Sequence, residues 1–148
     1  MIIRNEIILN ADPATVWNLL TNPEKTKQYM YGCEVVTDWK VGSPIEWKGE
    51  YEGKETVFVT GNIVRLEPGE LLAYTVIDPH GPYPEDVSSP LTVVCEVIRD
   101  DDKTVLLVSQ GDYSRVTDGE DRYRKALAEG GWDGVLCAIR DLLEREKA

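Results

Sequence analysis

Apolar residues recur along this chain with two different periods, and the change of period divides it into three stretches. Over residues 2–9 the repeat is two: Ile3, Ile7 and Leu9 fall on one face and Arg4 and Glu6 on the other. That pattern predicts a strand with one buried side, blurred only by Ile8. Asn10-Ala11-Asp12-Pro13 then supplies a helix start, because Asp12 can cap free amides and Pro13 loses nothing in a first turn. Val16, Leu19 and Leu20 share a face of that helix, with Trp17 beside them. Thr21-Asn22-Pro23 interrupts it, and Pro23 with Glu24 behind it opens a second short helix ending near Met30.

From Cys33 onward the period returns to two, and six strands are predicted at residues 33–38, 43–49, 56–67, 71–77, 91–99 and 104–111. Lys40-Val41-Gly42, Glu52-Gly53-Lys54, Glu67-Pro68-Gly69-Glu70 and Asp100-Asp101-Asp102-Lys103 are links short enough for antiparallel hairpins. Residues 78–90 hold Pro79, Pro82, Pro84 and Pro90, which argues against a helix or a central strand and for a long loop of the kind that often carries function. The helical period then governs residues 121–147. Trp132, Val135, Leu136, Ile139, Leu142 and Leu143 form an apolar stripe, opposite Asp133, Arg140, Asp141 and Glu144, that must pack on the sheet. Gly130, Gly131 and Gly134 each cost roughly 1 kcal/mol of helix propensity against Ala, so a close backbone approach or a local break is expected there, and the helix could begin as late as Gly131.

This order of elements resembles that of the START-like (SRPBCC) superfamily. The run Ala11-Asp12-Pro13-Ala14-Thr15-Val16-Trp17, with Leu20-Thr21-Asn22-Pro23 and Tyr29-Met30 after it, is similar to the A-x-P-x-x-V-W…L-T-x-P…W-M opening of the branch named after the activator of heat-shock-protein ATPase. Tyr29 stands where Trp is usual. Gly61-x-Ile63, the run from Pro68 to Thr75, residues 104–111 and Gly131-Trp132-x-x-Val135-Leu136 resemble its later landmarks in the same order. The resemblance spans nearly the whole chain. It implies an α+β helix-grip fold over residues 1–148 as a single domain: strand, two short helices, six antiparallel strands and a long C-terminal helix that leaves a pocket against a bent sheet. Relatives of this fold include lipid and hormone carriers, polyketide cyclases and a co-chaperone module, so the fold alone does not choose an activity. The co-chaperone carries a separate N-terminal domain that docks on the ATPase, for which one fold filling 148 residues is expected to leave no room.

Composition narrows the partners. With 27 acidic against 16 basic residues, the net charge of -11 repels phosphate backbones and anionic membrane surfaces alike. No stretch approaches the roughly 20 apolar residues that span a bilayer. Nucleic acid and membrane are therefore not expected as partners. The N-terminus, with Glu6 and no basic leader, does not read as a signal peptide. Cys33, Cys95 and Cys137, an odd number without a C-x-x-C pair, read as small core hydrophobes in a reducing cytoplasm.

The sequence offers few catalytic parts. His80 is the sole histidine and no ligand spacing appears, so no metal is expected; phosphate-cradling glycine loops and the G-x-S-x-G turn are missing, so no cofactor is expected either. Aromatic residues are the remaining material. Trp17, Tyr29, Tyr31, Trp47, Tyr74, Tyr113 and Trp132 combine an apolar body with a polar tip, and most of them read as core or interface, Trp132 alone being evenly balanced; with His80 and Leu136 they are the candidate cavity residues. The expected function is a non-catalytic binding module for a small apolar, aromatic or lipid-like ligand, as a monomer or homodimer. The alternatives are a cyclase or dehydratase using a tyrosine, His80 or Arg115 to move a proton in a water-poor cavity, and a co-chaperone-like protein-binding domain.

Overall fold

The computed structural model describes residues 1–147. Its first elements follow from local signals. Strand β1 (Ile3–Leu9) buries Ile3 and Leu9 and turns Arg4, Glu6 and Ile8 to solvent. Helix α1 (Pro13–Thr21) starts where the Asp12 carboxylate accepts the Thr15 N–H at 2.9 Å, and that bond holds the carboxyl below its ordinary range. The same device starts α2 (Pro23–Tyr29), where Asn22 Oδ1 accepts the Glu24 N–H at 3.0 Å.

Six further strands follow: β2 (Glu34–Thr37), β3 (Pro44–Tyr51), β4 (Lys54–Glu67), β5 (Leu71–Val76), β6 (Leu91–Asp100) and β7 (Lys103–Gly111). They form one antiparallel sheet in the order β1-β7-β6-β5-β4-β3-β2, with observed ends within two residues of the expected ones. β4 is the bend. Its first part pairs with β3 and its last part with β5, and the register slips at Trp47/Lys48 and at Ile63/Arg65. Each slip adds local twist, which curls the sheet instead of leaving it flat. At the crossing a Cβ on Gly61 would lie 1.8 Å from the Thr75 carbonyl oxygen, so only glycine lets the strands close.

The expected long C-terminal helix is present from just after Gly131, and the residues before the glycines form a separate helix. The two are α3 (Gly119–Ala128) and α4 (Asp133–Lys147), separated at Gly130 and Gly131, whose φ values are +87° and +60°. Both reasons anticipated for the glycines operate at Gly131, because its left-handed backbone turns the chain and a Cβ there would meet Asn5 Oδ1 at 2.5 Å. Asn5 clamps the break, donating to the Gly130 carbonyl at 3.1 Å and accepting the Trp132 backbone N–H at 2.9 Å. α4 lies against β1 and α2 and buries Val135, Leu136, Ile139, Leu142 and Leu143.

The proline-rich loop also holds a short helix that its prolines argued against. Residues Pro84–Ser88 make a 3-10 turn with Pro84 at its start, the one helical position where a missing N–H is harmless. Asp86 ties this turn to α3: it accepts from Arg122 at 2.7 Å and from the Thr117 N–H at 3.2 Å, while the Arg122 guanidinium lies 4.1 Å over the Tyr83 ring. The buried carboxylate is thus paired, as burial demands.

Candidate functional site

The inner face of the curled sheet, the end of α2 and the break before α4 border a pocket of about 450 Å³ that opens to solvent beside Tyr31. β3 contributes Trp47, β4 Phe58 and Val59, β5 Tyr74 and Val76, and β6 Val93. Met30, Tyr31 and Cys33 close the side at the end of α2, and Trp132 with Gln110 closes the side at the break. Tyr74 and Val76 share a face by alternating along β5, whereas Phe58 and Val59 are adjacent on β4 and both reach the wall at the register slip opposite Trp47/Lys48. Among the described residues no charged side chain stands on this wall.

Four candidate residues, Tyr31, Trp47, Tyr74 and Trp132, meet around this space. Trp47 and Tyr74 pack with ring centroids 6.1 Å apart at 44°, and Tyr31 stands 86% exposed at the rim with a left-handed φ of +52°. Tyr29 and Leu136 sit deeper, around a hollow of only about 20 Å³ that shares Met30, Trp47, Tyr74 and Trp132 with the larger one. The Tyr29 hydroxyl donates to the Leu19 carbonyl at 2.8 Å and so belongs to the α1–α2 contact. Tyr113 lies on the far side of Trp132, in a hollow of about 220 Å³, with its ring 5.8 Å from that of Tyr123.

The other two candidates are outside the cavity wall. Trp17 is half-buried on α1 against the core. His80 is held in its loop by a backbone bond to the Asp78 carboxylate, and its Nε2 lies 3.1 Å from the Val57 carbonyl oxygen.

Several lining residues gave no sequence signal. Phe58, Val59, Val76 and Val93 looked like any sheet residues, and Met30 and Cys33 like the ends of elements. Gln110 is the polar residue missed. The Trp132 indole donates to its Oε1 at 2.9 Å, and no spacing rule links positions on a strand and a helix break that are far apart in the chain.

Electrostatically the site is a low-dielectric pocket of neutral groups. Burial pushes the Tyr74 phenol well above its ordinary range, with smaller contributions from neighbouring Cys95 and Tyr29. Burial likewise raises the Cys33 thiol and carries Cys95 up to about 12. All three therefore hold their protons at neutral pH. Among the described residues no three His, Cys, Asp or Glu side chains gather in a way that could hold a metal ion, and no helix is long and apolar enough to cross a membrane.

Comparison with known proteins places this geometry in a family. The family profile described as Activator of Hsp90 ATPase homolog 1-like protein matches residues 10–144. A solution structure from Cytophaga hutchinsonii is 29% identical, covers 99% of this chain and 95% of its own, and superposes with a TM-score of 0.76. The Aha1 dimer from Colwellia psychrerythraea shares the fold at 19% identity, with 100% and 99% of the two chains covered and a TM-score of 0.72. An HSP90 activator from Plasmodium falciparum shares it at 15% identity, with 97% and 96% covered and a TM-score of 0.67. The search of curated proteins finds no match.

Proposed function

This chain belongs to the Activator of Hsp90 ATPase homolog 1-like family, and from that premise we propose that residues 1–148 form one domain that binds a small apolar or aromatic molecule between its sheet and Trp132. The observation that carries the reading is the cavity of about 450 Å³ walled by Met30, Trp47, Phe58, Tyr74, Val93 and Trp132 without a charged side chain. That volume is of the order small-ligand sites occupy, and a wall of this composition gains free energy from apolar burial while giving an ion nothing to pair with. Rigid aromatic walls add shape selection at small entropic cost.

Native mass spectrometry and thermal-shift measurements against uncharged aromatic and lipid-like molecules test this reading. Stoichiometric retention of one such molecule, with a rise in melting temperature, is the expected result. A protein that neither retains nor is stabilised by any of them is not a small-molecule carrier.

A second reading, a protein-binding domain acting on the chaperone, draws on the family description and on the fold shared with the Plasmodium falciparum activator. Adding the protein to purified Hsp90 and measuring ATP hydrolysis separates the two, since a carrier leaves that rate unchanged. The cyclase alternative keeps only its tyrosines, since His80 and Arg115 lie outside the lining of the cavity while Tyr31 and Tyr74 are on it, and burial holds the Tyr74 proton well above the range of a base at neutral pH.

A further inference from the structure

We infer that Gln110 sets the chemical class of the ligand: an uncharged, flat apolar molecule bearing one carbonyl-type acceptor. This rests on the ligand-binding reading above. An indole N–H can only donate, so the Trp132 bond at 2.9 Å fixes which end of the Gln110 amide faces the indole: it must be the oxygen. The amide nitrogen is thereby turned away with two N–H donors, and it has no partner among the described residues.

That nitrogen is not sealed in the interior. Among the described residues the one side-chain polar atom that is both sealed and without a hydrogen bond is Glu67 Oε2, which faces the Arg65 guanidinium as an ion pair. Gln110 lines both the 450 Å³ cavity and the 220 Å³ hollow behind Trp132, so its free donors open onto this space. Tyr74 supplies the second polar group. Its residue is only 3% exposed and its hydroxyl has no partner among the described residues, so the same reasoning opens that hydroxyl onto the space it lines.

Two consequences follow from physical chemistry. A ligand carbonyl that accepts from the pre-oriented amide restores a hydrogen bond that an isosteric hydrocarbon leaves unmade. A carboxylate or ammonium gives up its hydration without meeting an opposite charge. The wall therefore selects a neutral acceptor over both.

The test uses three probes of one shape: 2-acetylnaphthalene, 2-isopropenylnaphthalene and 2-naphthoate. Affinity is read at pH 7 from quenching of tryptophan fluorescence and from calorimetry. The ketone is expected to bind about 5- to 10-fold more tightly than the hydrocarbon, and the carboxylate at least about 30-fold more weakly than the ketone. Gln110→Leu removes the donors. Gln110→Glu keeps an acceptor for the Trp132 indole but replaces the free amide with an oxygen, and both variants are expected to erase the ketone's advantage while hydrocarbon binding persists. Tyr74→Phe removes the other open donor; because only the Gln110 amide is fixed in direction, by the Trp132 indole, the ketone's advantage is expected to survive that change, and its loss there overturns the role of Gln110.

Equal affinity of ketone and hydrocarbon for the unmodified protein, or a ketone preference that survives both Gln110 variants, overturns the role of Gln110 and leaves the cavity reading standing. Carboxylate binding as tight as the ketone's overturns the neutral class. If none of the three binds, this inference fails, and the screen of uncharged aromatic and lipid-like molecules decides separately whether the carrier reading fails with it. If neither Gln110 variant folds, Tyr74→Phe decides: a ketone preference that it erases overturns the role of Gln110, and one that it leaves intact supports it.

Discussion

The two ends of α4 meet the same sheet in opposite ways. Toward its C-terminus Leu142 and Leu143 are 2% exposed, and with Leu9, Val16, Leu19 and Leu106 they belong to the filled core between helix and sheet. Toward its N-terminus the interface parts: about 20 Å³ remains open beside Leu136 and Ile139, and about 450 Å³ beside Trp132. Aliphatic side chains interdigitate to crystal-like density, whereas large rings hold the walls apart where a break in the helix and a bend in the sheet have separated the backbones. The cavity is thus a property of where the bends fall. It does not come from a shortage of apolar residues.

Several measurements sharpen or break that contrast. Leu142→Ala, in the filled end, is expected to cost about 3 kcal/mol and to lower the melting temperature by roughly 8 °C. A loss under about 1 kcal/mol in a urea titration would mean that this end is loosely packed too. Enlargement gives the next largest effect. Val16→Phe overpacks the filled end and is expected to cost about 1–3 kcal/mol, while Val59→Phe, which grows into the cavity, is expected to change stability by less than about 1 kcal/mol and to abolish probe binding.

Trp132→Phe should cost about 1 kcal/mol, because it orphans the Gln110 oxygen while keeping an aromatic wall. Its clearer signature is a shift of the Gln110 amide proton resonances. The last effect is absent at neutral pH and appears only under alkaline conditions. Cys95 keeps its proton up to about 12 in the fold, against an ordinary value of 9.0, so the folded state holds that proton more tightly than the unfolded chain. Its contribution is whole below pH 9 and is lost as the pH rises toward 12. Cys95→Ala should flatten the stability profile over that window, and an unchanged slope would assign the alkaline loss to other groups.

Much of the fold was legible because its signals are local. Asp12 with Pro13 and Asn22 with Pro23 announce helix starts by capping chemistry that needs no distant partner. The two-residue link Glu52-Gly53 joins β3 to β4 where the pattern put a hairpin. The division of the last segment into α3 and α4 was half legible: the glycines marked the break, but Asn5, which clamps it from β1, carried no sign of that role. The 3-10 turn at Pro84–Ser88 was hidden because proline argues equally for a loop and for a first helical turn.

For the site, the aromatic residues stood out as a type, but type does not separate wall from core. Trp47 and Trp17 are both tryptophans beside apolar neighbours, and only the first faces the cavity. His80 was notable for being alone, and the loop that carries it is held against α3 by the Asp86–Arg122 pair, away from the lining.

Periodicity, caps and turn residues were sufficient by themselves to set the order of elements, the antiparallel pairing of neighbours and the buried face of each, since these depend on residues close together in the chain. Tertiary structure alone decided where the sheet and α4 part, which aromatics line the gap, and that Gln110 meets Trp132. Those outcomes depend on bulges, a clamped break and backbone separations summed over the whole sheet, quantities that no short stretch of sequence encodes.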